Sequence, residues 1–156
     1  MDCQEVPRQV PDPRCLGPPI GSEGTLMSST TEWSHEALLA GEPRSAGLAR
    51  DFVRIHLLAH HLPHLVDDMR LVVSELATNA VLHAQTPFVV TLSSSSATVL
   101  LEIQDASTSA VVLRSPGVLD TSGRGMVIVE LLSQEWGQII DTRGYKHVWA
   151  SFPRDG

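Results

Sequence analysis

The stretch "LVVSELATNAVLHA", Leu71 to Ala84, carries the clearest periodic signal in the chain. Extended back to Met69, its apolar residues are Met69, Val72, Val73, Leu76, Ala77, Ala80 and Val81. They recur at i, i+3, i+4, i+7, i+8, i+11 and i+12, which is one face of an amphipathic helix. The spacing predicts a helix from about His64 to Ala84. At about 100° per residue the stripe centres near Val73, Leu76 and Ala80. Glu75 and Asn79 fall on its border, where a side chain can line a pocket. An Asn inside a helix costs roughly 0.5 kcal/mol or more against Ala, so Asn79 wants a reason. Its amide oxygen is a hard ligand suited to Mg²⁺. A carboxylate one turn earlier, Glu75, can serve as a general base. His83, four residues further on, reads as a satisfied residue at the helix end.

Upstream, "TEWSHEALL" (Thr31 to Leu39) reads as an edge strand and "GEP" at 41–43 as a turn. A first helix is expected from Arg44 to His61, with Ala46, Ala49, Phe52, Val53 and Leu57 as its apolar stripe and Pro63 as its terminator. Arg50 and Arg54 share another face of that helix. Downstream, "FVVTLSSS" and "ATVLLEIQD" are β-rich and nearly contiguous, so they form a hairpin. Residues 106–122 read as a long loop, which in a compact domain points to function or mobility. "GRGMVIVELLSQEW" then reads as a helix, with Met126 and the following valines in the core. "GQIIDTR" and "YKHVWASF" close the chain as two strands around Gly144. The order β-α-α-β-β-loop-α-β-β, with tight turns between neighbouring strands, predicts an α+β two-layer sandwich. Its mostly antiparallel sheet is covered on one face by about three helices.

Composition narrows the function. The chain has 156 residues, of which 42% are hydrophobic, enough for one domain with a proper core. Residues 1–30 read as a disordered Pro-, Gly- and Ser-rich segment, whether a tail, a partner-binding arm or an overcalled start of translation, and residues 31–156 as the folded domain. The formal charge of -7 argues against nucleic acid as a direct partner, since that surface wants a basic face. No segment approaches the roughly 20 apolar residues that a membrane helix needs. The N-terminus lacks the apolar core of a signal peptide, so the expected compartment is the cytoplasm. Cys3 and Cys15, both in the tail, are too few for a disulfide framework and read as reduced thiols. His56, His60, His61 and His64 cluster near the first helix end, but no Cys or well-spaced carboxylate completes a metal site there.

Two further segments join Glu75 and Asn79. "VLLEIQD" delivers Asp105 at a strand end, where a carboxylate can accept a hydrogen bond from an exocyclic amine such as that of adenine. "SGRGM", Ser122 to Met126, opens a helix. Its glycines Gly123 and Gly125 let backbone amides approach an anion, the helix N-terminus favours phosphate, and Arg124 adds a fixed positive charge.

In this order the segments resemble the anti-sigma factor serine kinases of the GHKL ATPase superfamily, over about residues 32–153. "ELATNAVLHA" is similar to their N box, "EIQDAS" to the first glycine box, "SGRGMVIVELLSQEWG" to the second, and "GYKHVWASF" to their closing strand. The resemblance implies the Bergerat ATP-binding fold, with ATP and Mg²⁺ as cofactors. It implies that Asn79 holds Mg²⁺ against the phosphates, that Glu75 is or supports the general base, and that Asp105 recognises adenine. Residues 106–122 become the ATP lid, and Gly123, Arg124, Gly125 and Met126 belong to the segment at the nucleotide. The implied activity is sequestration of a sigma factor and phosphorylation of a serine on a STAS-domain anti-anti-sigma antagonist, commonly by a homodimer. A non-catalytic binding module of the same fold is the alternative. Arg50 and Arg54 are candidates for the sigma-factor contact. The chain departs from the pattern at Ser107 and Ser109, where glycines are expected, and at His147, which replaces a small hydroxyl near the adenine pocket.

Overall fold

The computed structural model describes residues 30–106 and 121–155, and for 121–125 the backbone alone. The N-terminal tail with its two cysteines, and most of the expected lid including Ser107 and Ser109, lie outside the described residues.

Five strands form one sheet in the order β1-β2-β3-β5-β4, antiparallel at every junction. They are β1 (Trp33–Leu39), β2 (Phe88–Ser94), β3 (Thr98–Asp105), β4 (Glu135–Ile140) and β5 (Lys146–Pro153). Among the described residues three α-helices cover one face: α1 (Ser45–Ala59), α2 (Val66–His83) and α3 (Thr121–Leu132). The expected two-layer α+β sandwich is therefore the observed one.

The helix that anchors the reading is present with its stripe intact. Met69, Val72, Val73, Leu76, Ala77, Ala80 and Val81 are all buried. They pack against α1 through Ala49, Val53 and Leu57, and against the sheet through Val90, Leu92, Leu101, Ile103, Val148 and Phe152. Strand side chains alternate between faces, so the inward set along β3 is Val99, Leu101, Ile103, and along β5 Val148, Ala150, Phe152.

Three boundaries differ from expectation, each for a local reason. Helix α1 stops at Ala59, before Pro63. His61 takes a left-handed φ of 61°, and the Leu62 amide turns back to the Leu57 carbonyl at 2.8 Å. This closes the helix as a glycine commonly does. Pro63 instead opens a short 3-10 turn, Pro63–Leu65. Within the described residues helix α3 runs from Thr121 to Leu132, so both glycines lie inside it. The "QEW" segment then belongs with β4, because Trp136 pairs with Ala150 and packs on the core. Gly137 is needed there: a Cβ would come within 2.7 Å of the Trp149 indole.

Candidate nucleotide site

Topology gathers the candidate residues at one end of the molecule. Helix α2 descends to His83 and returns as β2 at Phe88, so its last turns lie at the end of the sheet where β2 begins. In antiparallel pairing that end also holds the end of β3, Asp105, and the start of β5, Lys146. Helix α3 runs from Thr121 to Leu132 and feeds β4, which enters the sheet at Glu135 opposite Ser151. Its N-terminus therefore lies at the same end as Asp105.

Asn79 is 5% exposed, deeper than the border position its helical angle suggests. Its Nδ2 donates to the Met126 Sδ at 3.6 Å, which ties α2 to α3. A thioether accepts but does not donate, so this contact assigns the NH₂ to the Met126 side and turns the amide oxygen the other way. Met126 is fully buried and belongs to the core, as its apolar neighbours suggested. Its contact with the site is to Asn79.

Glu75 sits one turn before Asn79 and is half-buried. Burial raises its carboxyl above the ordinary range. A carboxylate so placed is a stronger base than one in open water, which suits proton removal from a hydroxyl. The Asn79 amide oxygen is a hard donor of the kind Mg²⁺ takes, and Mg²⁺ needs few protein ligands.

At the N-terminus of α3 the first four backbone amides have no partner within the helix. They are those of residues 121–124, which include Gly123 and Arg124, whereas Gly125 falls where the amide turns back into the helix. The Arg124 side chain lies outside the described atoms.

Asp105 is 2% exposed and shares its side of the sheet with Ile103. Its register partner is Lys146, only 1% exposed, on the same side. Burial pushes the Lys146 ammonium down from its usual range, against the pull of Asp105.

His147 does not join this group. It alternates to the side of the sheet away from α1, α2 and α3, fully buried, with Nδ1 2.8 Å from Glu102 Oε2 and Nε2 3.0 Å from Asp141 Oδ2. This corrects the expectation that it stands at the adenine pocket. Residue parity carries the correction: Val148, Ala150 and Phe152 face the helices, so the even-numbered Lys146 faces with them and His147 faces away. The same count applied to the sequence would have singled out Lys146.

Two other expectations are refined. Arg50 donates from Nη1 to the Ser74 Oγ at 2.9 Å, so it braces α1 on α2, while Arg54 is exposed. The histidines near the end of α1 gain a member from β1. His35 and His60 face each other Nε2 to Nε2 at 2.9 Å, Trp33 stacks on His60, and His35 stacks on His56. No group of three ligands able to hold a metal ion occurs among the described residues.

The site lies on a chain that matches the histidine kinase-like ATPase domain family over residues 39–152, and the chain belongs to that family. The match runs from the end of β1 to the end of β5, so it spans α2, Asp105 and α3 together. No curated protein matches the chain significantly. No helix among the described residues is long and apolar enough to cross a membrane.

Proposed function

We propose that this protein binds ATP with Mg²⁺, sequesters a sigma factor, and phosphorylates a serine on a STAS-domain antagonist of that complex. The observation that carries this reading is the convergence of Glu75, Asn79, Asp105 and the α3 N-terminus at one end of the sheet. In this reading Asp105 accepts a hydrogen bond from the exocyclic amine of adenine. The amides of residues 121–124 receive phosphate oxygens. The Asn79 oxygen holds Mg²⁺, which screens the phosphate charge when bound. Glu75 takes the proton from the serine hydroxyl as its oxygen bonds to the γ-phosphorus. The bond from that phosphorus to the bridging oxygen breaks, and ADP leaves with the electron pair.

The family match supports the nucleotide part. The finer part, the sigma factor and its antagonist, rests on the resemblance of "ELATNAVLHA" and "SGRGM" to anti-sigma factor kinases. The net charge of -7 and the lack of a basic run support a protein partner over nucleic acid, and a cytoplasmic setting follows from such a partner. The exposed Arg54 is the better candidate of the two arginines for a sigma-factor contact. A homodimer is part of the same proposal, and sedimentation of the purified chain checks it.

The second reading is a binding module without phosphotransfer, favoured by Ser107 and Ser109 in place of glycines. Incubation with labelled ATP and a candidate STAS antagonist separates the two. Phosphate transfer supports the kinase; sigma-factor binding without transfer supports the module. Glu75→Ala is expected to abolish transfer, more than about a hundredfold, with ATP binding largely retained. Equal transfer by that variant removes Glu75 from the chemistry. Arg54→Glu is expected to weaken sigma-factor binding, and unchanged affinity rejects that contact.

A further inference from the structure

We infer that Lys146 is a second base-reading group, donating a hydrogen bond to the purine ring nitrogen that adjoins the exocyclic amine held by Asp105. This rests on the nucleotide-binding reading above and names how that site selects its base.

The argument begins with register. Asp105 ends β3 and Lys146 begins β5, and they are direct partners across an antiparallel junction. Side chains so paired share a face, with Cβ atoms about 5 Å apart. Parity with Ile103 and Val148 puts both on the helix-covered side, and both are buried. An anionic acceptor and a cationic donor therefore stand side by side at the end of the sheet where α2 and α3 meet.

A 6-aminopurine presents the complementary pair along one edge: an N–H donor on the exocyclic nitrogen, then the N1 acceptor beside it. A 6-oxopurine presents the opposite order, an O6 acceptor and then an N1–H donor. With Asp105 taking the amine, only the first edge leaves an acceptor toward Lys146. A hydrogen bond from a charged donor is stronger than a neutral one.

The test is a set of binding titrations on the full chain with Mg²⁺ and three nucleotides: ATP, 1-deaza-ATP, which has C–H in place of N1, and inosine triphosphate. Wild type is expected to bind ATP about tenfold or more tightly than 1-deaza-ATP. Lys146→Met is expected to bind those two alike, through a loss on ATP, while still preferring ATP over inosine triphosphate. The idea is overturned if wild type binds ATP and 1-deaza-ATP equally, or if Lys146→Met keeps the discrimination. It is also overturned if the variant binds ATP more tightly, which makes Lys146 a plug. Should circular dichroism show the variant unfolded, the wild-type comparison decides alone. If wild type binds none of the three, the nucleotide reading fails and this inference with it. Equal binding of ATP and 1-deaza-ATP removes Lys146 only.

Discussion

Lys146 and His147 are adjacent in sequence, both cationic in type, both buried, and they stand on opposite sides of one strand. On the side away from α1, α2 and α3, His147 has a carboxylate oxygen at each ring nitrogen, Glu102 at 2.8 Å and Asp141 at 3.0 Å. Burial works against its charge, yet the bonds to Glu102 and Asp141 outweigh burial and hold it above the usual histidine range. On the helix-covered side, burial wins over Asp105 and pushes Lys146 down. The contrast teaches that depth alone does not define a functional cation. The protonation of a buried basic group is set by the balance between burial and its neighbours, and across one strand that balance falls in opposite directions.

The His147 side is also mechanically closed. Asp141 accepts from the backbone amides of Arg143 at 2.8 Å and Tyr145 at 3.1 Å, and from the Arg143 guanidinium at 2.8 Å. Gly144, with φ of 90°, completes the turn. Burial alone would raise Asp141, but His147, Arg143 and these amides hold it well below the usual carboxylate range. His147 thus links the middle of β3 to the β4–β5 turn.

The largest expected effect comes from cutting that link. His147→Leu leaves Glu102 and Asp141 facing an apolar side chain, and a buried charge without its partner costs about 3–5 kcal/mol. Urea unfolding at neutral pH measures it. A loss below about 1 kcal/mol would mean that the network is not what holds the turn, and the two sides of β5 would no longer differ in kind. Next comes Gly137→Ala, beside the same network. The added Cβ meets the Trp149 indole at 2.7 Å and forces it aside, at a cost of about 1–3 kcal/mol. Nucleotide affinity is expected to stay unchanged in that variant, because Trp149 faces away from α2 and α3.

How much of this was legible in the sequence follows from the range of the interactions. Helix α2 was readable because its period is local: seven apolar residues at helical spacing report one buried face without knowledge of the partner. Glu75, Asn79 and Asp105 were readable as candidates by residue type and place in an element. The assignment of "QEW" to a helix failed because Trp136 is placed by Ala150 and the core, contacts that no local pattern encodes. His147 was misplaced through the motif around it, although the two-residue alternation of β5 puts it on the far side. The bonds from His147 to Glu102 and from Arg50 to Ser74 join residues 45 and 24 positions apart, so only the folded chain shows them.

A smaller effect tests the His147 side by pH. Burial pushes Glu102 up to about 7, against its bond to His147. An acid raised in the fold keeps its proton there while the unfolded chain has lost it. Its contribution is therefore full below about pH 4.5 and falls away as pH rises toward 7. His147, raised in the fold, has the same sign: full below about pH 6.5, and lost as pH climbs through its folded value. His56 and His60, lowered first by burial and then by neighbouring positive charge, act oppositely and lose stability as pH falls. Wild type sums these slopes. Glu102→Gln removes one downward slope, so its stability is expected to rise more steeply than wild type's between about pH 4.5 and 7. Parallel curves would show that Glu102 does not exchange a proton on unfolding.

The smallest expected stability change is on the other side of the strand. Lys146→Met keeps most of the stem that packs inside and removes the cost of burying an ammonium, so the loss of its attraction to Asp105 is partly offset. The net cost is expected to be about 1 kcal/mol, well under that of His147→Leu at the adjacent position. The ligand response should run the other way, with nucleotide affinity falling in Lys146→Met and holding in His147→Leu wherever the latter remains folded. Thermal unfolding with and without ATP and Mg²⁺ reads both at once, because a ligand that binds only the folded state raises its stability in proportion to the logarithm of occupancy. A Lys146→Met protein that unfolds as easily as His147→Leu, yet keeps the full ATP-induced shift, would make Lys146 a structural residue like its neighbour and dissolve the contrast between the two sides of β5.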